Sequence, residues 1–297
     1  MNDLLSILVA GLAQGVPVFI VASGLTLIYG VLHVLNFAHG GFFLIGAFIV
    51  TSTLQGGSLG AFLGSVLLAG AGVMVIGIVS EVLVFRPLYK AGSTVSFLGA
   101  FALFLALVGL AIAIWGTNPR TVSYPDALDG SFTVAGARIG QYEIAMVLLG
   151  GLIAVGLWLL LTRTSLGMRV RAVSHDRTMA LALGIRVGRV STTVFAIGAF
   201  LAGVAGALIS PVSSIDEGLA LSTDYMLPAF IVIIVGGLGS VPGALLAALA
   251  LGVIESVIFR VAPSLSGFSY YLVVAVFLMF RPQGIFGSPS RSVQMAR

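Results

Sequence analysis

Long apolar stretches separated by short polar segments set the pattern of this chain. A helix that crosses about 30 Å of hydrocarbon needs about 20 predominantly apolar residues, with about 17 as the lower limit. The pattern therefore predicts an all-α fold, a polytopic transmembrane helical bundle. Five stretches meet the length requirement, and they cover residues 4 to about 30, 61–85, 95–115, 143–161 and 191 to about 209.

Two further regions are apolar but interrupted. Residues 37–54 form a short stretch, and residues 225–259 are broken by the glycine-rich segment 236–243. Together with residues 264–280, the second region predicts three short crossings. If 37–54 crosses the membrane, the chain has nine spans and its N-terminus lies outside; if that stretch is re-entrant, the chain has eight and the N-terminus lies inside. We expect eight or nine spans, some of them broken or re-entrant, in one transmembrane domain that covers residues 1–297.

Composition narrows the class of protein further. Hydrophobic residues make up 59% of the chain and charged residues only 8%, and the mean hydropathy is +1.17. Ordinary globular proteins carry about 25% charged residues, so this chain lacks the side chains to cover a surface that faces water. The composition excludes a disordered chain, a collagen-like fibre and an ordinary soluble enzyme. The absence of cysteine excludes disulfides, thiolate metal sites and a catalytic thiol.

The positions of the charged residues predict how the chain is oriented. Six arginines and one acidic residue lie between residues 163 and 189, further basic residues lie in 86–90, and the tail from Arg281 onward is basic. Short loops rich in Lys and Arg stay on the cytoplasmic side of a membrane. We therefore expect these three segments inside, and the loops 116–140 and 214–224 outside. This placement accounts for the net charge of +4 without a nucleic-acid partner.

Polar or helix-breaking residues interrupt the apolar pattern at 33–41 and at 236–243. Non-helical backbone at membrane depth is tolerated only where protein buries it or water lines it. Transporters often place their substrate sites at such breaks, whereas an ordinary turn at the membrane surface would give the same pattern. Both alternatives stay open for each segment.

Ionisable residues inside spans are costly and often functional. Glu255 lies in an apolar stretch, where it either lines a pathway or pairs with Arg260. Glu81 lies close to Arg86 in the sequence, which predicts an ion pair at the membrane interface. The candidate residues of a substrate pathway are Asn36, His39, Gly40, Gly237, Gly239 and Glu255.

The chain lacks motifs that the common enzyme classes require. A phosphate-binding P-loop needs a lysine followed by Ser or Thr, and the only lysine, Lys90, precedes Ala91. A Gly-x-Ser-x-Gly sequence surrounds Ser58, but it lies in a glycine-rich turn rather than in the strand–turn–helix context that hydrolysis needs. His33 and His39 are six residues apart, which does not put two metal ligands on one helix face. We expect no catalytic residue, no metal and no cofactor.

Residues 162–190 form a long internal loop. Ser174 can cap a short helix, Asp176 suits its first turn, and Gly184 can end it. Such a helix exposes apolar side chains to the cytoplasm, and its partner is either the membrane surface or a groove on a cytoplasmic protein. Because the chain has no ATP-binding motif, docking to a separate ATPase is the sharper hypothesis. The expected exposed apolar residues are Met179, Ala180, Leu181 and Leu183, and the candidate coupling residues are Arg169, Arg171, Ser174, Asp176, Arg177, Ala182 and Gly184.

Four stretches of the sequence carry a resemblance to a known family: residues 24–40, the internal loop from 163 to 186, residues 236–243 and residues 280–287. They run from near the start of the chain to near its end. In this order they resemble the membrane-spanning permease subunits of the branched-chain amino acid (Liv-type) ABC importers, a group that also includes urea and amide uptake systems.

The resemblance implies an ATP-driven importer in the bacterial inner membrane, with leucine, isoleucine or valine as the default substrates. It further implies two cytoplasmic ATP-binding subunits, a periplasmic substrate-binding protein and a second permease subunit, which in this family is usually a different chain. The coupling helix of related importers corresponds here to residues 174–184. Two alternatives stay open: the same importer class with urea, amides or other amino acids as substrates, and an ion-driven secondary carrier or channel.

Overall fold

The computed structural model describes residues 2–89, 91–134, 137–215, 219–281 and 283–286. In chain order its α-helices are α1 (Asn2–Leu32), α2 (Ala38–Thr53), α3 (Leu59–Ser80), α4 (Arg86–Leu88), α5 (Ser93–Trp115), α6 (Gln141–Arg163), α7 (Ser165–His175), α8 (Arg177–Ala182), α9 (Val187–Ile209), α10 (Leu219–Gly236), α11 (Val241–Val261) and α12 (Ser269–Phe280). A π-helix (Glu81–Phe85) joins α3 to α4, and 3-10 turns cover Asp126–Leu128 and Pro263–Leu265. Two antiparallel strands, β1 (Ser131–Val134) and β2 (Ala137–Gly140), pair with Ser131 opposite Gly140.

The lengths of the helices confirm a multi-pass helical membrane protein. Six segments of the described residues are long and apolar enough to cross a bilayer: Leu4–Leu32, Leu59–Leu88, Ser93–Trp115, Gln141–Arg163, Val187–Ile209 and Val241–Val261. The first five coincide with the predicted spans. Three shorter apolar helices, Ala38–Thr53, Ala220–Gly236 and Tyr270–Phe280, fall in the regions whose pattern is interrupted.

The sixth long helix corrects one expectation. Helix α11 begins inside the 236–243 segment and runs uninterrupted for 21 residues rather than forming a short crossing, because the break is confined to residues 237–240. By length alone the described residues contain six spans, which is below the eight or nine expected. A higher count requires that shorter helices cross as well.

The strand pair marks one end of the bundle, called here the hairpin end. The 116–140 loop meets two other loops there. Arg120 and Ile215 form a β-bridge, and the Asp126 amide donates a hydrogen bond to the Gly57 carbonyl at 2.8 Å. The hairpin end therefore gathers the loops that the charge pattern assigns to the outside.

The opposite end, called here the basic end, carries the arginine-rich segment 163–189. The turn between α10 and α11 lies at this end, with Gly239 beside Gly30 near the end of α1. The Ile285 amide donates a hydrogen bond to the Val235 carbonyl at 2.8 Å, which brings the chain after α12 to the same place. The segments expected inside therefore meet at one end of the bundle.

Helix α9 forms the centre of the bundle. In the most apolar stretch of α9, 78% of the residues are buried, whereas in that of α6 only 17% are. α9 packs on α1, α2 and α3. Helices in a bilayer gain little hydrophobic drive to associate, so close packing of small residues holds them together. Three glycines of α9 lie against the backbone of a neighbouring helix, in the pairs Gly198–Gly24, Gly203–Gly46 and Gly206–Phe43.

We expect Gly206→Ala to destabilise the bundle, because a Cβ at this position would overlap the carbonyl oxygen of Phe43. Overpacking typically costs about 1–3 kcal/mol, and here the obstacle is backbone that cannot rotate away. Gly64→Ala in α3 is the matched control, since nothing lies within 4 Å of the Cβ that it adds. The Tm of the purified protein in detergent should fall for the first variant and stay level or rise for the second. Equal Tm values would contradict this description of the packing around α9.

Candidate functional site

Two short helices, α7 (Ser165–His175) and α8 (Arg177–Ala182), occupy the region expected to couple the chain to an ATPase, and together they are called here the coupling segment. α7 and α8 are separated at Asp176, whose backbone is extended and whose side chain accepts a hydrogen bond from the Met179 amide at 2.9 Å. The expectation of a single helix capped by Ser174 is wrong, because Asp176 supplies the cap and Ser174 lies inside the last turn of α7. The segment therefore has a bend that the sequence pattern does not reveal.

Gly184 ends α8, as expected. Its backbone is left-handed, with φ of 78°, a conformation that glycine adopts without strain. The Ile185 amide donates to the Ala180 carbonyl at 3.0 Å. The Gly184 amide donates to the Leu181 carbonyl, also at 3.0 Å. These two hydrogen bonds form the Schellman motif, which terminates many helices, so α8 is short but defined at both ends.

Three large apolar side chains project from the α8 region into solvent, and we call them the apolar cluster. Met179 and Leu181 are each 56% exposed, and Leu183 is 73% exposed. The expectation that Ala180 is exposed as well is wrong, because Ala180 is buried beneath the helix. Exposed apolar groups outside the spans are typical of a surface that contacts another protein or the membrane.

A cavity of about 450 Å³ lies beside the apolar cluster. Arg169, Arg186 and Arg189 line it together with Leu183 and Gly184, and no acidic side chain belongs to the lining. Guanidinium groups bind carboxylates and phosphates with charge-assisted hydrogen bonds. The basic cavity and the apolar cluster together suit a partner surface that combines an apolar groove with acidic side chains.

The remaining coupling candidates lie in the same segment and make different contacts. Arg171 donates a hydrogen bond to the Leu161 carbonyl, which ties α7 to the end of α6. Arg177 and Ala182 are exposed on α8. Ser174 is the member that faces the bundle, beside Gly30 of α1.

Substitution of the α8 cap should show how far this helix depends on Asp176. Asp176→Ala removes the side-chain acceptor for the Met179 amide, and losing such a cap typically costs about 1 kcal/mol. We expect amide hydrogen exchange across 177–182 to speed up by about fivefold, the factor that corresponds to this free energy. Asp176→Asn is the control, because Asn caps helices as well as Asp does. Unchanged exchange in the alanine variant would show that the cap does not define α8.

The first group of substrate-pathway candidates lies where α1 passes into α2. Asn36 is buried, and its side-chain oxygen accepts a hydrogen bond that fixes the start of α2. His39 is fully buried against Gly24 of α1, and Gly40 lies against Met226 of α10. These are the contacts of a packed helix junction. A role of the three residues in a substrate pathway stays a prediction.

Gly237 and Gly239 form the turn between α10 and α11. Their φ angles are 99° and 87°, in the left-handed region that favours glycine. The Ser240 hydroxyl caps α11 by accepting a hydrogen bond from the Gly243 amide at 3.1 Å. Gly236 and Gly243 touch across the turn. The segment therefore has the geometry of a tight helix–helix turn at the basic end, which is one of the two alternatives considered for it.

Glu255 lies toward the opposite end, where it lines a cavity of about 490 Å³. Its Oε1 atom accepts hydrogen bonds from the Ser266 hydroxyl at 2.6 Å and from the Gly267 amide at 2.7 Å. Glu255 therefore lines a cavity, while the two roles considered for it, lining of a substrate pathway and pairing with Arg260, both stay predictions. None of the other five pathway candidates lines this cavity, so the structure does not bring the six together.

The lining of the hairpin-end cavity combines carboxylates with apolar surface. Glu143 and Asp224 join Glu255 there, although neither is among the sequence-based candidates. Each is an acidic residue in or beside an apolar stretch, which is the signal that would have found them. The other lining residues include Ala10, Ala13, Gln14, Val18, Met146, Ser213, Leu221, Tyr225 and Tyr270. Carboxylates beside apolar walls suit a small molecule that carries both an ammonium group and a hydrocarbon side chain.

Comparison with known proteins identifies the family. The family described as "Branched-chain amino acid transport system / permease component" matches residues 7–280. This chain belongs to that family. The permease is 30% identical over 304 residues to the high-affinity branched-chain amino acid transport system permease protein BraD of Pseudomonas aeruginosa, with 95% of each chain covered.

Two further relatives show the range of the similarity. The permease is 28% identical over 295 residues to the high-affinity branched-chain amino acid transport system permease protein LivH of Escherichia coli K12, with 94% of each chain covered. It is 25% identical over 191 residues to the ribose import permease protein RbsC of Haemophilus influenzae, which covers 62% of this chain and 57% of that one. The resemblance drawn from the four sequence stretches is thereby confirmed.

Proposed function

We propose that this permease is the membrane-spanning subunit of an ATP-driven (ABC) importer that carries leucine, isoleucine or valine across the bacterial inner membrane. The observation that carries the proposal is the apolar cluster, exposed beside an arginine-lined cavity in a chain that has no P-loop. Such a surface suits docking to a separate ATPase subunit. The names of the relatives BraD and LivH support the substrate class.

The proposed complex contains further subunits. Two cytoplasmic ATP-binding subunits would dock on α8 and on its counterpart in a second permease, which we expect to be a different chain. A periplasmic binding protein would deliver the amino acid at the hairpin end. Closure of the ATP-binding subunits would displace α8 and switch the pathway between outward-open and inward-open states. Hydrolysis of ATP takes place on the partners, so the permease itself is not an enzyme.

We infer nine crossings, so that the three shorter apolar helices also pass from one side to the other. The contacts of α2 support this count. Near its start, the Phe37 ring packs edge-on against Phe97 of α5 with centroids 4.9 Å apart. Near its end, the Trp115 indole donates a hydrogen bond to the Ser52 hydroxyl at 2.6 Å. These contacts lie at opposite ends of α5, and α2 spans about 24 Å between them, which a locally thinned bilayer accommodates.

An outside N-terminus follows from the same inference. The Ser256 hydroxyl of α11 donates a hydrogen bond to the Ile7 carbonyl of α1 at 3.0 Å, so the start of α1 lies beside the end of α11. With nine crossings and the arginine-rich segment inside, both lie on the outer side, and the chain after α12 lies inside.

Leu183→Glu should abolish uptake of leucine, because it puts a charge into the apolar cluster that would enter a groove on the ATPase. Leu183→Met is the matched control and keeps the surface apolar. We expect the first variant to insert into the membrane normally but to lose co-purifying ATP-binding subunits and at least about tenfold in uptake, the factor for 1.4 kcal/mol. Uptake of radiolabelled leucine by cells that express the whole importer measures the effect. Equal uptake by both variants would contradict the docking role.

Glu255→Gln should weaken uptake through the hairpin-end cavity, since it removes a negative charge that would attract the ammonium group. The amide oxygen still accepts the hydrogen bonds from Ser266 and Gly267, so the local fold is retained. Asp129→Asn is the control, because Asp129 is exposed at the same end but does not line the cavity. We expect a several-fold rise in the KM for leucine delivered by the binding protein in the first variant only. Identical KM values for both variants would remove Glu255 from the pathway.

A second candidate function, an ion-driven carrier, is favoured only by the position of Glu255 in a cavity. The two functions are separated by reconstituting the permease alone and together with the products of neighbouring genes. The proposed function predicts no accumulation of leucine by the permease alone, and ATP hydrolysis stimulated by loaded binding protein in the full complex. Urea, amides and other amino acids tested as competitors then define the substrate class.

A further inference from the structure

A fully buried carboxylate, Glu81, lies where α3 passes into the π-helix. The Arg86 guanidinium donates a hydrogen bond to its Oε2 atom at 2.9 Å, so the predicted ion pair is confirmed. The Thr192 hydroxyl of α9 has two acceptors for its single proton, the same Glu81 oxygen at 2.8 Å and the Gly188 carbonyl of its own helix at 2.9 Å, and it accepts a hydrogen bond from Arg86 at 2.7 Å. We call these three residues the clasp.

The clasp joins parts of the chain that are far apart in sequence. Glu81 begins the π-helix and Arg86 follows it, whereas Thr192 lies in the second turn of α9, shortly after the coupling segment ends. Tyr89 lies 3.5 Å from the other carboxylate oxygen of Glu81. Burial, and then the Glu81 charge, raise the pKa of the Tyr89 phenol. The coupling segment is connected to the clasp through α9, which contacts α7, α8 and the π-helix.

Stability alone does not explain this arrangement. Glu81 is fully buried while the Arg86 side chain is 48% exposed, so their attraction has to offset the cost of removing the Glu81 charge from water and gains little over apolar residues of similar volume. Ionisable groups within membrane spans carry a similar cost. Converging, charge-assisted hydrogen bonds do, however, fix the geometry of the groups that they join. The π-helix beside the clasp is also a feature found frequently at functional sites.

We propose that the clasp transmits the movement of the coupling segment to α3. This inference rests on the proposed function, in which an ATPase displaces α8. Displacement of α8 moves the start of α9, where Thr192 is bonded to Glu81, so that the π-helix and α3 move together with α9. Glu81 is a positioning residue in this scheme and touches neither the amino acid nor ATP. Without the clasp, the start of α9 can move relative to α3. Fewer substrate molecules are then transported for each ATP that is hydrolysed.

The clasp is tested by the number of leucine molecules transported per ATP hydrolysed in proteoliposomes that contain the full importer and its binding protein. Thr192→Val removes the hydroxyl but keeps the shape of the side chain. Thr162→Val is the matched control, because the Thr162 hydroxyl is exposed and bonds to the Trp158 carbonyl of its own helix. We expect the ratio to fall by about fivefold for Thr192→Val, the factor for one hydrogen bond, and to stay unchanged for Thr162→Val.

Glu81→Gln provides a second variant that does not depend on Thr192. It removes the charge and retains the shape, and we expect the same fall in the transport ratio with normal assembly of the complex. The double variant Glu81→Gln/Thr192→Val should show no further loss, because both changes break one link.

Three outcomes would overturn the inference: equal ratios for Thr192→Val and Thr162→Val, additive losses in the double variant, or a proportional fall in uptake and ATP hydrolysis that follows the amount of assembled complex. The last result would mean that the clasp only supports folding. If the unmodified importer shows no ATP-driven uptake, the proposed function itself is wrong and the clasp inference falls with it. The two failures are therefore distinguishable.

Discussion

Glycines on α9 let its backbone touch α1 and α2 directly, and the positions of the other helices depend on this contact. The hydrophobic effect does not drive helices together inside a bilayer, so the bundle gains its stability from close packing of small side chains and backbone. α9 is also the helix that begins where the coupling segment ends. The most buried of the six long spans therefore follows shortly after the exposed apolar cluster.

The two candidate functional regions lie at opposite ends of the bundle, and α3, α9 and α11 run between them. At the basic end, α8 presents its apolar cluster beside three arginines. At the hairpin end, carboxylates from three separate helices or their connections line a cavity with apolar walls. A displacement of α8 reaches the hairpin end only through helices that are packed backbone to backbone, which transmit movement as nearly rigid elements. The part-buried hydrogen bond between Glu81 and Thr192 adds a polar contact to this packing at the basic end, where an ATP-binding subunit would dock.

Local properties of the sequence are sufficient for much of the fold. Span length and hydropathy are local, so the five main spans and the basic end could be predicted. Gly184 could be predicted to end α8 because glycine fits a left-handed cap. The cap at Asp176 could not be chosen over Ser174, since both residue types suit the position and the choice depends on where α7 ends.

Contacts between distant segments could not be predicted in the same way. Glu143 and Asp224 join Glu255 only because the ends of α6, α10 and α11 meet at the hairpin end. The bond between Glu81 and Thr192 joins residues 111 positions apart. The one part of this group that could be predicted, the pair of Glu81 with Arg86, is local to a single helical segment.

The docking of an ATP-binding subunit on α8 can be measured with a site-specific cross-link. The chain contains no cysteine, so Leu183→Cys at the apolar cluster and Phe132→Cys on the exposed face of β1 each introduce a single thiol. In the assembled importer, we expect a short bifunctional reagent to join the first variant to the ATP-binding subunit and to leave the second unlinked to it. A cross-link of equal yield from Phe132→Cys, or none from Leu183→Cys, would show that the ATP-binding subunit does not dock on α8.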